Sequence, residues 1–449
     1  MIRPGPSSEL VVRAAALYLP ILLAVALALH RPPPDRRRWA AVLLATAWNL
    51  PALLALNVVA GRAGWWTIAA SRASVAGVPA DLWVGWALLW GAVPILATVD
   101  RLAVAGAVLV AADLVLMPLG EPVVTLGSWW LVGEAVAVAT CLVPGLLLGR
   151  WTARGHRLAE RAALQVAAFT GLLLYVLPSL VFGVTGEGWN VLLARPRWQL
   201  VAAGLVLAPA AAMALQAVRE FVAAGGTPVP LDPPLRLVST GPYAYVANPM
   251  QLGATVVLGG WGVLLGSPYL VAAAGMAAGF SAGLAAWSEN IELAARFDDA
   301  WAGYRRHVRV WVPRWRPAVI PPAVVYVARR CEPCDEVGGF LERRRSVGLT
   351  VAAAEQSRDP LRRITYQGGD GRRESGVGAI GRSLEHVNLA WATASWIARL
   401  PVLQPFLQLV TDAVGGGPRD VQVSFSTGGL ASPPSGANEG GHRGGTQSG

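Results

Sequence analysis

A mainly α-helical, polytopic membrane bundle of about nine spans, followed by a small α/β cytoplasmic domain, is the fold class that three observations predict. Of the 449 residues 54% are hydrophobic, only 14% are charged, and apolar runs of about span length recur from residue 11 to residue 287. Globular domains carry about a quarter charged residues, so this composition points to lipid rather than to a large soluble core. No lysine occurs, and the net charge of +10 comes from arginine alone.

A bilayer core about 30 Å thick needs roughly 20 predominantly apolar residues per helix. Nine segments approach that length: 11–29, 39–60, 81–98, 102–119, 129–149, 162–184, 199–218, 250–265 and 269–287. Interior prolines such as Pro94 and Pro178 are tolerable in spans, because neighbouring helices re-satisfy the freed backbone groups.

Arginine placement predicts the orientation, since basic residues in short loops stay on the cytoplasmic side. One alternate set of loops carries Arg31, Arg36, Arg37, Arg38, Arg101, Arg150, Arg154, Arg157, Arg161, Arg219 and Arg236, whereas the opposite set carries only Arg62, Arg72, Arg195 and Arg197. The N-terminus is therefore expected outside and the C-terminal region inside, in an integral cell (inner) membrane protein. Trp65, Trp66, Trp129, Trp130 and Trp198 fall at the expected outer edges, as interfacial indoles prefer. A signal peptide is the alternative for the first segment, but its basic flank follows it and no small-residue cleavage pattern is evident.

Four blocks follow: N-terminal membrane helices of unassigned role (1–198), a membrane domain with a polar loop (199–323), a compact module (324–420), and a Gly/Ser-rich tail (421–449) expected to be disordered. Asp113 and Glu134 are the ionisable residues placed deepest in the expected spans. Intramembrane carboxylates are functional candidates by default. Pairing with a polar neighbour such as Asn49 or Asn57 is the plainer alternative.

The stretch 225–317 is the most informative. Between spans it carries Pro228, Pro230, Pro233, Pro234 and Pro242, which pre-set the backbone, and Gly225, Gly226 and Gly241, which permit tight turns or close approach of a ligand. The run Gly241-Pro242-Tyr243-Ala244-Tyr245-Val246-Ala247-Asn248-Pro249-Met250 then opens a short apolar hairpin that turns at Gly266-Ser267-Pro268 and returns towards Glu289. The hairpin's two ends, 243–251 and 288–292, are expected to meet on the cytoplasmic face.

These residues, with Gly226-Thr227-Pro228, Gly253, Leu293, Phe297, Tyr304, Val312-Pro313 and Pro317, resemble the isoprenylcysteine carboxyl methyltransferase and phospholipid methyltransferase superfamily of integral membrane enzymes. The resemblance implies S-adenosylmethionine as cofactor, in contact with Leu235, Arg236, Leu237, Val238, Tyr243, Asn248, Pro249, Met250 and Gln251. It also implies catalytic roles for Glu289, Asn248 and Tyr243, with Glu289 on the side of a hydrophobic isoprenoid, lipid or thiol acceptor. Beside that likeness, methyl transfer from a sulfonium needs alignment and exclusion of water rather than a metal, and tyrosine faces suit a cation. The chain departs from the family's pattern at Ala247, usually basic, at Asn290, often acidic, and at Ala285, arginine in some members.

The Trp/Arg-rich run 301–315 reads as a segment on the lipid surface rather than a nucleic-acid contact. In the module, strand, Cys331-Glu332-Pro333-Cys334 at a helix start, strand, hairpin and helix form a thioredoxin-like order. Unpaired amides and the helix dipole stabilise a thiolate at such a position, and the second thiol can resolve a mixed disulfide. The segment also resembles small thiol-disulfide oxidoreductase-like domains, although their Asp three residues before the first Cys is Ala328 here. A zinc site is the rival reading, but Cys141 lies in an expected span and His307 and His386 are isolated, so no metal is expected.

The expected function is thus methyl transfer to a hydrophobic acceptor with no nucleic-acid partner. The alternative is a non-catalytic membrane scaffold or thiol redox sensor that retains the methyltransferase frame. A transporter would show paired polar residues in inverted halves, and the sequence has no such halves.

Overall fold

The computed structural model describes residues 6–30, 34–121, 123–229, 231–318, 321–357 and 359–418, with the side chains of 6–7 and 284–290 outside the description. The tail from residue 421 therefore also lies outside the described residues. The chain is mainly helical.

The N-terminal bundle comprises α1 (Pro6–His30), α2 (Arg36–Ala63), α3 (Ala80–Ala97), α4 (Leu102–Leu116), α5 (Trp130–Ala137), α6 (Val143–Arg154), α7 (Leu158–Gly171) and α8 (Leu177–Thr185). Asp35 caps α2 by accepting from Arg38 N at 2.8 Å, and Gly64 ends it in the left-handed conformation. This αL cap is the conformation that glycine adopts most readily. Two π turns, Val138–Leu142 and Leu172–Val176, fuse α5 to α6 and α7 to α8 into rods of 25 and 28 residues. The buried core lies along α2, whose Leu53, Leu54 and Leu56 join Trp83 and Trp90 of α3, Leu142 at the end of the π turn and Leu146 of α6. Short ribbons join the helix ends: β1 (Trp66–Ile68) pairs with β4 (Val124–Leu126), and β2 (Ser74–Val75) with β3 (Val78–Pro79).

The second half begins with a single turn, α9 (Asn190–Leu193), and the long α10 (Arg197–Ala223). The hairpin of α11 (Pro249–Leu265) and α12 (Pro268–Phe280) follows, continued by the π turn Ser281–Ala285 into α13 (Ala286–His307), which kinks at Asp298. Helices α10 and α11 meet closely at Gly253, where a Cβ would stand 2.6 Å from the Ala210 carbonyl oxygen.

Six described helices are long and apolar enough to cross a bilayer, rather than the nine expected. The fourth expected span is only 15 residues as a helix and the eighth only 17. At 1.5 Å per residue these reach about 22 and 26 Å, because Arg101 and Met117 bound the one, and Pro249 and the αL residue Gly266 bound the other.

The C-terminal module holds β5 (Ala323–Val327), α14 (Glu332–Arg343), β6 (Leu349–Ala353), β7 (Thr365–Gly368), β8 (Arg373–Ser375), α15 (Val377–Leu384), α16 (Leu389–Ala398) and α17 (Leu403–Thr411). Its mixed sheet has the order β6-β5-β7-β8, with β5 parallel to β6 and antiparallel to β7, and β7 antiparallel to β8. Val325, Val327, Leu341, Tyr366 and Ala379 form its core.

The sequence reading kept this module separate from the membrane, but the structure packs it onto α10 and the loop after it. Glu220 of α10 is buried between Arg372 and Arg382, each at 2.6 Å, and accepts from Thr240 Oγ1. Arg382 also meets Glu374 at 3.0 Å and Glu385 at 3.1 Å, and Arg399 meets the same two carboxylates at 2.9 and 2.8 Å. Three carboxylates thus face three guanidinium groups. Burial alone would ease the proton off Arg382, but Glu220, Glu385 and Glu374 outweigh it and hold the guanidinium charged. Breaking a buried pair by removing one partner costs about 3–5 kcal/mol. Arg382→Ala is therefore expected to undock the module, seen as lowered thermal stability and new protease cleavage between residues 310 and 323. An unchanged midpoint and cleavage pattern would show that other contacts hold it.

Candidate functional site

The loop after α10 is folded by its own backbone. Gly225 has φ +88°, Leu235 N donates to Ala224 O at 2.7 Å, and Thr227 N donates to Asp232 O at 2.9 Å. The Asp232 carboxylate then ties the loop to the bundle, accepting from Arg37 of α2 at 2.8 Å and from buried Arg161 of α7 at 2.6 Å. At Gly241, with φ +60°, the chain passes so near Glu220 that a Cβ would lie 2.9 Å from its Cγ. Glycine is favoured there on both counts.

The turn Gly241–Ala244 delivers Tyr243, Tyr245 and Asn248 to three different surroundings. Tyr243 is buried, its ring stacked 6.3 Å from Phe221 of α10, and its carbonyl accepts from the Tyr304 hydroxyl of α13 at 2.9 Å. Tyr245 is 0% exposed; its ring stands edge-on to Trp396 of α16 at 5.7 Å and its hydroxyl donates to Glu385 O at 2.8 Å. Burial, and then the Glu385 charge, hold the Tyr245 phenol well above its usual range. Both rings are engaged by protein, where the sequence reading offered their faces to a ligand.

Asn248 is half-buried ahead of Pro249, which starts α11, and its Nδ2 donates to Gln251 Oε1 at 3.1 Å. The chain beyond α13 returns along this turn: Ala247 N donates to Arg309 O at 2.9 Å, Asn248 N to Val310 O at 3.3 Å, Arg314 N to Tyr245 O at 3.0 Å and Ala318 N to Ala244 O at 2.8 Å. The 309–318 stretch, which overlaps the 301–315 run expected on the lipid surface, is thus tied by its backbone to the turn, while Val312 and Trp315 stay exposed.

The remaining expected contacts divide by burial. Val238 and Met250 pack with Tyr243, Leu237 packs beside Ala247 and Tyr304, and Leu235 is 77% exposed at the rim. Arg236 lies 3.7 Å from Asp370 of the module. The structure therefore groups Val238, Tyr243 and Met250, sets Leu237 in a second cluster with Ala247 and Tyr304, and joins Asn248 to Gln251 at the start of α11, which Pro249 opens. Glu289 belongs to α13, and its side chain lies outside the described residues.

Cys331 sits at the N-cap of α14, buried, with Cys334 half-buried and its sulfur 2.7 Å away. Residues that sequence reasoning missed are Glu220, Arg382, Glu385 and Trp396, which frame the turn from behind. One signal existed: Glu220 is an acidic residue at the end of an apolar run, and such a group needs a partner.

Next to this network His386 is buried, its Nδ1 2.7 Å from Val347 O and its Nε2 3.0 Å from the Tyr366 hydroxyl. Because a carbonyl only accepts, Nδ1 carries the proton and Nε2 accepts. Burial pushes its pKa down to about 4, with Arg382 adding repulsion against the bond to Val347. The unfolded chain then binds the proton more readily than the folded one, so stability is full above the unfolded value of about 6.5 and falls as pH drops towards 4, by about 3 kcal/mol. Thermal unfolding in detergent between pH 7 and 4 is expected to show this loss, and His386→Gln to flatten it. An equally steep loss in the variant would assign the acid sensitivity to other groups. No protein-family model, curated protein or solved structure matches this chain.

Proposed function

We propose that this chain is an integral membrane S-adenosylmethionine-dependent methyltransferase acting on a hydrophobic acceptor, an isoprenoid, lipid or thiol, at the cytoplasmic face. The observation that carries the reading is the return of residues 309–318 and Tyr304 onto the 243–248 turn. With it, the loop after α10, the start of α11 and the end of α13 share one place, as a grip on a cofactor between helix ends requires.

The fit to the cofactor rests on outward groups rather than on the tyrosines. Leu235 offers an exposed apolar rim, Arg236 a cation beside Asp370, and Asn248, bonded to Gln251, an amide at the start of α11. The cofactor's sulfonium supplies the methyl group. Tyr243 and Tyr245 act as posts that fix the backbone of the turn. Glu289 is assigned the acceptor side, orienting an ammonium or the acceptor's proton.

With α4 counted as a crossing, as the β1–β4 pairing of the flanking loops favours, the arginine bias supports an N-terminus outside and a cytoplasmic C-terminal module in the inner membrane. The sheet order β6-β5-β7-β8, with Cys331-x-x-Cys334 opening the helix after the first strand, supports a thioredoxin-like module. A second reading, a scaffold or thiol redox sensor without turnover, is favoured by one observation: α16 of that module covers Tyr245.

Binding separates the two. Purified protein in detergent is expected to bind S-adenosylmethionine in the micromolar range, with Asn248→Ala and Arg236→Ala each weakening it about tenfold, a loss of about 1.4 kcal/mol. Glu289→Gln is expected to leave binding intact and to abolish transfer. Folded protein that binds no cofactor would contradict the enzyme reading and favour the sensor.

A further inference from the structure

The two intramembrane carboxylates are not used by the proposed methyl transfer, and the structure brings them together. Asp113 of α4 and Glu134 of α5 reach one another with their side chains. Neither pairs with Asn49, whose amide donates to Ala45 O at 2.9 Å. Asn57 lines the same space, donating to Leu53 O and accepting from Trp66 Nε1 at 3.0 Å.

The pair faces a cavity of about 20 Å³ walled also by Trp66, Trp86 and Trp90. A space of that size holds about one water. Two groups at its wall are left with bonding capacity. Trp90, 3% exposed, has an indole N–H with no acceptor, and Glu134, 4% exposed, has Oε1 with no donor, among the described residues. A buried donor and a buried acceptor left without partners each cost about 1–3 kcal/mol, so a small polar occupant would satisfy both. Directly after Glu134 the helix widens into the π turn Val138–Leu142, a feature that often marks functional sites. The Thr140 carbonyl of that turn accepts from Trp48 Nε1 at 3.0 Å.

We propose that Asp113, Glu134 and the Trp90 indole form a proton-binding site in the N-terminal bundle, in which the two carboxyls hold one proton between them beside a single water. Two carboxylates at hydrogen-bond reach in an apolar setting cannot both stay ionised. The proton supplies the donor that the contact between them needs, and the water satisfies the Trp90 N–H and Glu134 Oε1. The titratable groups that face Glu134 are Asp113 across from it and Cys141 further along its own rod. The facing residues of α2 and α3, Asn57, Trp86 and Trp90, do not titrate.

The test uses dicyclohexylcarbodiimide, an apolar reagent that adds to protonated carboxyl groups, on the full-length protein in detergent, with adducts located by peptide mass spectrometry. An adduct on Glu134 is expected at pH 6, falling about tenfold or more by pH 9, as titration of one proton requires. Glu134→Gln is expected to abolish it. Asp113→Asn is expected to move the half-labelling pH by about one unit or more, because interacting carboxyls titrate as a pair. Three results would overturn the proposal: no adduct on either residue in monodisperse wild-type protein, a half-labelling pH that Asp113→Asn leaves in place, or protection by sodium ions, which would make this a metal-ion site.

Discussion

Glu220 stands buried at the end of an apolar helix, and the loop after α10 and the C-terminal module are arranged around its charge. A buried carboxylate is tolerable only when paired and hydrogen-bonded. Here Arg372 and Arg382 come from the module and Thr240 from the loop that leads into the 241–251 turn. One anion therefore fixes three parts of the chain at once. Glu374 and Glu385 balance the surplus guanidinium charge, and Arg399 closes the cluster from α16. Such networks stabilise little in net terms, since desolvation offsets most of the Coulombic gain. Their effect is on register: a module shifted by one residue would bury charges without partners.

The apolar packing in front of the network follows the same register. Tyr245 and Trp396 meet edge to face, and Ala212, Met213, Ala244 and Val246 fill the space between α10 and α16. Gln216 and Arg219 of α10 add bonds to the carbonyls of Trp396 and Arg399. The turn that carries Asn248 thus has a back made by the module, while Leu235 in the loop before it is exposed. The Cys331–Cys334 pair belongs to the same module.

Much of the fold was legible in the sequence because apolar run length and strand alternation are local signals. Arg36–Ala63, Arg197–Ala223 and the Cys-x-x-Cys helix fall close to where the runs placed them. Helix ends set by a single Pro or Gly, as at Pro249 and Gly266, fell where the run 250–265 placed them, which leaves a helix of 17 residues. The π turns left no mark in composition. The candidate site was legible as a stretch but not as a shape: the motif 241–250 is one continuous run, whereas its packing partners Glu220, Tyr304, Glu385 and Trp396 lie up to about 150 residues away. Such pairings depend on tertiary packing, which no local pattern encodes. Tyr243 and Tyr245 illustrate the limit, since tyrosines in a turn suit a ligand face and a packing post equally well.

The most direct test of the account is a double-mutant cycle on Glu220 and Arg382, read from thermal or denaturant unfolding of the full-length protein in detergent. If Glu220 anchors the module, Glu220→Gln and Arg382→Gln each destabilise strongly. The double variant is then less destabilised than the sum, with a coupling energy of about 1–3 kcal/mol. Strictly additive losses would contradict the claim that this buried charge organises the C-terminal half of the chain.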